Sequence, residues 1–272
     1  MQRLENLYKE ANEKLNNDMN KILQAFIKFY GVENSEYIIN KIKDSRIIWY
    51  DDSDIISDNI YDCIISSISR DELDEILQKR KKEVFLQSAY IDEFDILVLP
   101  LSFDLVKIIH EINHKIGSHV ISKEPLVQIS GISYSIGKNE VVEYDSDLNE
   151  AINQKMTLEI LEELKNMGLK IDITPSWQEY LFPLIDLFYN TFKNELKEVN
   201  ITGDLIKLKQ LLGEEYYNQF SQLIFMSGFR TRRNVLKEGK VNFSTNKINT
   251  INDLVSDMKE HYDNLSQNNY KK

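Results

Sequence analysis

The chain has 272 residues and four histidines, three of them in the stretch "DLVKIIHEINHKIGSH" at 104–119. Two of these, His110 and His114, flank Glu111 in the pattern H-E-x-x-H. On a helix the i, i+4 spacing stacks both imidazoles on one face, one turn apart, within reach of a single ion. Glu111 then sits about 100° round from His110, beside such an ion rather than on it. There it can take a proton from a metal-bound water. The chemistry this pattern suggests is zinc-dependent hydrolysis. The other reading is a surface helix that carries exposed histidines.

The rest of the stretch fits a helix over about 103–117. With Leu105 at the origin of a helical wheel, Ile108, Ile109, Ile112 and Ile116 fall within about 60° and form one apolar stripe. His110 and His114 fall at about 140° and 180°, on the other side. Gly117 stands where a left-handed cap would turn the chain away.

Hydrolytic zinc needs a third protein ligand and one open position. The long pattern H-E-x-x-H-x-x-G-x-x-H would place it at 120, but that residue is Val120 and His119 comes one position early. His119 therefore reads as a neighbour of the site or a surface residue. His261 reads as a solvated helix residue. Glu143, Asn149 and Glu150 also offer oxygen donors. Glu150 opens a helix in "DSDLNEAINQKMTLEIL", 36 residues after His114. Asp147 followed by Glu150 is also a capping-box-like start, which gives Glu150 a purely structural role. Glu159, Glu162 and Glu163 read as a solvated face.

Taken together, "IIHEINHKIG" and "LNEAI" resemble the gluzincin-type zinc metallopeptidases, in bacterial members of which an L-N-E-G/A helix start supplies the third ligand. The resemblance covers roughly residues 94–165. It implies Zn²⁺ held by His110, His114 and Glu150, with Glu111 as general base. It also implies a hydrogen-bond donor for the oxyanion, for which Tyr144, Tyr180 and Tyr189 are candidates. The expected substrate is a peptide or protein, held in part by main-chain pairing to a strand beside the active-site helix, here the hairpin at 126–145. Such members often continue with Thr and Glu where this chain has Asn153 and Gln154, so the surroundings of the ligand differ. The competing expectation is a non-enzymatic helical binding protein with a structural or vestigial metal site. The basic stretch "GFRTRRNVLKEGK" (228–240) places Arg230, Arg232 and Arg233 either in a solvated turn, beside the oxyanion, or at a dock for an acidic partner.

The elements that must position these residues are mostly helical. Only 4 prolines and 9 glycines interrupt the chain, and 42% of residues are hydrophobic. That balance favours long helices in a globular protein with a sizeable core. The net charge of −11 argues against a nucleic-acid partner. Cys63 is the only cysteine, so no intrachain disulfide can form and a reducing, cytoplasmic setting is expected. No signal peptide, transmembrane run or membrane partner is expected.

Along the chain, 4–30 and most of 34–90 read as helix, with a capping box at Ser69 and Glu72. "FDILVLPLS" (94–102) reads as a buried strand. Two β-rich runs flank a Gly137-Lys138-Asn139 turn. A helix from Leu148 stops at Gly168, and helices follow from 171. The expected fold is α+β, mainly helical, with a small antiparallel sheet or hairpin beside the H-E-x-x-H helix, zincin-like by resemblance. Its regions are an N-terminal helical part (1–90), a catalytic core (91–170) and a C-terminal helical part (171–272).

Overall fold

Helix α1 (Gln2–Tyr30) buries Ala11, Leu15, Ile22, Phe26 and Phe29, a spacing of three, four and seven residues that lays one apolar stripe on the core. The computed structural model describes residues 2–52, 61, 63–66, 68–79, 88–123, 126–136, 142–173, 175–238 and 243–269. Over these the chain is mainly helical with two four-stranded sheets. None of the described helices is long and apolar enough to cross a membrane. The chain divides into two compact units, Met1–Ile116 with Met156–Ile173, and Gly117–Lys155 with Thr174–Lys272.

In the first unit, α1 is followed by α2 (Ser35–Lys43), β1 (Arg46–Tyr50), β2 (Ile64–Ser66), α3 (Arg70–Lys79), β3 (Ala89–Ile91), β4 (Ile96–Pro100) and α4 (Leu105–Ile116). The sheet runs β2-β1-β4-β3. Its central pair β1 and β4 is parallel, with Ile48 beside Val98, and both outer strands are antiparallel. All five residues of β4 are buried, as its apolar run predicts. The helical expectation for 34–90 fails at β1 and β2. In "RIIWY" two β-branched residues precede two aromatics, side chains that lose rotamer freedom in a helix and pack well on a pleated surface. Leu73 and Ile76 of α3 pack on this sheet with Ile48, Tyr50, Ile64, Ile91, Ile96 and Val98. Half of the expected capping box forms: the Glu72 N–H donates to Ser69 Oγ, while the Glu72 carboxylate pairs with Arg46.

In the second unit, β5 (Ser118–Lys123), β6 (Leu126–Ser130), β7 (Ser133–Ile136) and β8 (Val142–Tyr144) form an antiparallel meander in chain order. The expected hairpin corresponds to β7 and β8, with Tyr134 opposite Tyr144. Its Gly137-Lys138-Asn139 turn lies outside the described residues. Helix α5 (Ser146–Asn166) begins in this unit and runs into the first. It ends at Gly168 (φ 85), where Leu169 N–H bonds back to the Leu164 carbonyl in a left-handed cap. A 3-10 turn (Trp177–Leu181) leads into α6 (Phe182–Thr202), α7 (Leu205–Leu212), α8 (Glu214–Glu238) and α9 (Thr245–Asn269). Phe188, Phe192, Tyr217, Phe220, Ile251 and Met258 are buried among these helices, and the Phe188 and Phe220 rings stack at 4.4 Å.

Candidate metal centre

Helix α4 starts where Asp104 caps it, its carboxylate accepting the Val106 N–H at 3.1 Å. At the far end the Tyr37 hydroxyl donates to the Ile116 carbonyl at 2.6 Å, satisfying one of the orphan acceptors of the last turn. The helix is buried on more than its isoleucine stripe. His110 and Glu111 are each only 7% exposed, and Asn113 and Lys115 are fully buried. The expectation of a surface helix with exposed histidines is therefore not met.

Polar anchors account for that burial. Tyr30, the last residue of α1, donates to Asn113 Oδ1 at 2.5 Å and lies 3.7 Å from Met156 Sδ on α5. One hydroxyl thus holds α4 and α5 in register within the first unit. Lys115 pairs with Asp95 at 2.5 Å and faces the Tyr90 ring. Burial raises Asp95, but the Lys115 hydrogen bond and charge, with Tyr90 and Lys41, bring its carboxyl below the usual value.

Glu150 sits in the first turns of α5, whose start is fixed separately. Asp145, at φ 64, accepts a hydrogen bond from Ser221 and lies 3.7 Å from the Lys209 ammonium. Asn149 Oδ1 accepts the Ile132 N–H at 3.1 Å, and the neighbouring Gly131 (φ 58) has no room for a side chain. A Cβ there would stand 2.4 Å from Asn149 Oδ1. Gln178 Nε2 donates to Glu150 Oε2 at 3.3 Å.

The Nε2 atoms of His110 and His114 face one another at 3.1 Å, with the rings inclined at 74°. Two nitrogen ligands about 2.0–2.1 Å from a tetrahedral zinc stand about 3.3 Å apart, so this pair has close to the required bite. One ligand atom from each of His110, His114 and Glu150 lies within 4.8 Å of the others. No other group of three or more His, Cys, Asp or Glu side chains with metal-holding geometry occurs among the described residues. Two imidazoles and one carboxylate form an N₂O donor set of the kind that holds a divalent transition metal and leaves positions open for water.

Glu111, between the two histidines in the sequence, is buried, and its charge is felt at Tyr50. Burial pushes the Tyr50 phenol up, a Ser88 hydrogen bond at 3.3 Å lowers it, and the carboxylates of Asp52, Glu111 and Asp104 raise it further. Tyr50 lies at the end of a strand not expected from the sequence, so no local signal marks its electrostatic link to Glu111.

The remaining candidates are dispersed. His119 Nε2 meets the Asn200 carbonyl at 2.8 Å and its ring packs against Gly203, which makes it an anchor of β5. His261 is half-buried on α9 beside Gly213. Tyr189 is buried on α6, 5.2 Å from the Lys155 ammonium. Tyr180 is half-buried in the 3-10 turn that carries Gln178. The side chains of Tyr144, Glu143, Arg230, Arg232 and Arg233 lie outside the described residues. Sequence reasoning missed Gln178 altogether. Comparison with protein-family models, with curated proteins and with solved structures gives no match to this chain.

Proposed function

We propose that this chain is a zinc-dependent metallopeptidase of the gluzincin kind, with His110, His114 and Glu150 as ligands and Glu111 as general base. The observation that carries the reading is the meeting of His110, His114 and Glu150, with their donor atoms within 4.8 Å. The three come from two helices, and H-E-x-x-H is the spacing that leaves a glutamate between the two ligands.

Zinc at these residues supplies Lewis acidity, which makes water a nucleophile near neutral pH and polarises a substrate carbonyl. Glu111 accepts the proton of the attacking water and passes it to the departing amine nitrogen. Its 7% exposure keeps bulk water from competing for that proton. Tyr180, on the turn that meets Glu150, is the favoured oxyanion donor; Tyr189 is packed in a helical core, and Tyr144 remains a candidate by position. The substrate is a peptide or protein whose extended backbone pairs with β8, an edge strand that leads directly into α5. The single cysteine suits work in a reducing compartment such as the cytoplasm.

The test is hydrolysis of a mixed peptide library by the zinc-loaded protein and by its Glu111→Gln variant. The reading expects cleavage by the wild type, and a loss of about 10²–10⁴-fold in the variant with zinc still bound. Cleavage at equal rate by both would remove Glu111 from its role. A zinc-loaded wild type that cleaves nothing would favour a binding protein with a structural metal.

A further inference from the structure

Three features outside the H-E-x-x-H helix compete for interpretation. The groove between α6 and α9, about 510 Å³, shows nothing that would fill it. Phe225 and Met226 stand exposed on α8, and nothing shows what covers them. The cluster around Asp145 carries further, because it sits at the residue from which the helix of Glu150 starts.

Asp145 immediately precedes α5, and its carbonyl accepts the Asn149 N–H at 2.9 Å. An aspartate in this position usually keeps an extended backbone and turns its carboxylate onto the free N–H groups of the first turn. Asp145 departs from that pattern. Its φ is 64, in the left-handed region. Its carboxylate reaches two other helices: Oδ1 accepts the Ser221 hydroxyl of α8, and Oδ2 lies 3.7 Å from the Lys209 ammonium of α7.

Lys209 is placed to hold that arrangement. Its ammonium lies 4.9 Å from the centre of the Tyr217 ring on α8 and 5.3 Å from that of Tyr134 on β7. Burial, and after it the Asp145 charge, pushes the Tyr217 phenol well above its ordinary range, which keeps that ring neutral beside the cation. The side chains of Lys209 and Asp145 are 18% and 14% exposed. Water and salt screen such a pair far less than they screen a surface ion pair. Five residues after Asp145 comes Glu150, in the second turn of the same helix. A shift of the chain at Asp145 carries Glu150 with it, because successive turns of a helix are joined by their own hydrogen bonds.

We infer that Lys209 is a positioning residue of the metal centre: it holds Asp145 in the left-handed turn that opens α5 and thereby fixes where Glu150 stands. Ser221 assists from α8. The inference rests on the metallopeptidase reading for its metal. Its own content is that a cation on α7, outside the ligand set, tunes the affinity for the ion.

The experiment titrates zinc into metal-stripped wild type, Lys209→Met, Lys209→Arg, Asp145→Asn and the double variant Lys209→Met with Asp145→Asn. Urea unfolding of each metal-free protein is the control. Lys209→Met keeps the alkyl stem and removes the charge, and Asp145→Asn keeps a residue that tolerates the left-handed region. Each is expected to bind zinc about tenfold more weakly, the lower end of what groups behind a metal ligand contribute. The double variant should bind no more weakly than either single one, because the two residues act as one unit. Lys209→Arg keeps the charge and should bind as wild type does. The same proteins are loaded with cobalt(II), and their visible absorption is recorded. The bands of Lys209→Met and Asp145→Asn should differ from those of wild type and match each other, and those of Lys209→Arg should match wild type. Wild-type zinc affinity and cobalt bands in Lys209→Met and Asp145→Asn would overturn the role of Lys209 and leave the metal centre standing. So would losses that add in the double variant, or losses that follow stability alone and persist in Lys209→Arg. A wild type that binds neither metal would overturn the centre and this inference with it.

Discussion

His110 Nε2 and His114 Nε2 lie 3.1 Å apart on the buried helix α4. That separation is close to the spacing of two nitrogen ligands on one tetrahedral ion. Replacing either histidine by alanine should lower zinc affinity by at least about a hundredfold, since each is a direct ligand in this account. Competition with a chromophoric chelator measures it. Equal affinity in His114→Ala would show that the pair is a packing arrangement.

Tyr30 carries a burden that its position at the end of α1 does not advertise. Its hydroxyl bonds Asn113 at 2.5 Å and touches Met156, so it ties α4 to α5. Tyr30→Phe removes the donor and keeps the ring. The expected cost is about 1–2 kcal/mol in urea unfolding, the usual range for losing a buried hydrogen bond. A variant as stable as wild type would show that ring packing alone holds the two helices.

Gly131 lies close to Asn149, one residue ahead of Glu150. Its φ of 58 and the 2.4 Å approach to Asn149 Oδ1 both exclude a side chain. Gly131→Ala should therefore destabilise by about 2 kcal/mol or more, combining left-handed strain with a displaced Asn149. It should also weaken zinc binding, because the Asn149–Ile132 bond helps to set the start of α5. Full stability in this variant would contradict the close contact.

Asp95 and Lys115 give the first unit a pH dependence of known sign. The folded-state carboxyl of Asp95 lies below its usual value of 3.8, because Lys115, Tyr90 and Lys41 outweigh the effect of burial. A group depressed in this way stabilises above its unfolded value and loses that contribution as pH falls through the folded one. Asp95→Asn should thus be less stable than wild type at neutral pH, and the gap should narrow below about pH 4. Thermal unfolding across pH 2–7 measures it; a constant gap would contradict the assignment.

What the sequence discloses and what it hides divide along physical lines. Helix α4 is legible because its stripe of isoleucines and its histidine spacing are local patterns. The Gly168 stop is legible because a left-handed cap favours glycine there. Strand β1 is not, since five residues of "RIIWY" carry no period that separates strand from helix. The anchors of the site are harder still. Tyr30 and Asn113 are 83 positions apart and Gln178 and Glu150 are 28 apart, and no local rule links them. Glu150 itself could be singled out only by resemblance, because an acidic residue in the first turn of a helix is ordinary on its own.

The claim on which the account depends is that Glu150 completes a zinc site with His110 and His114. Metal content by elemental analysis, after exhaustive dialysis of wild type and Glu150→Ala, tests it most directly. The account predicts about one zinc per wild-type chain, the single open-site ion of a three-ligand centre, and far less in the variant. Equal, stoichiometric zinc in Glu150→Ala would contradict it, as would a wild type that holds none.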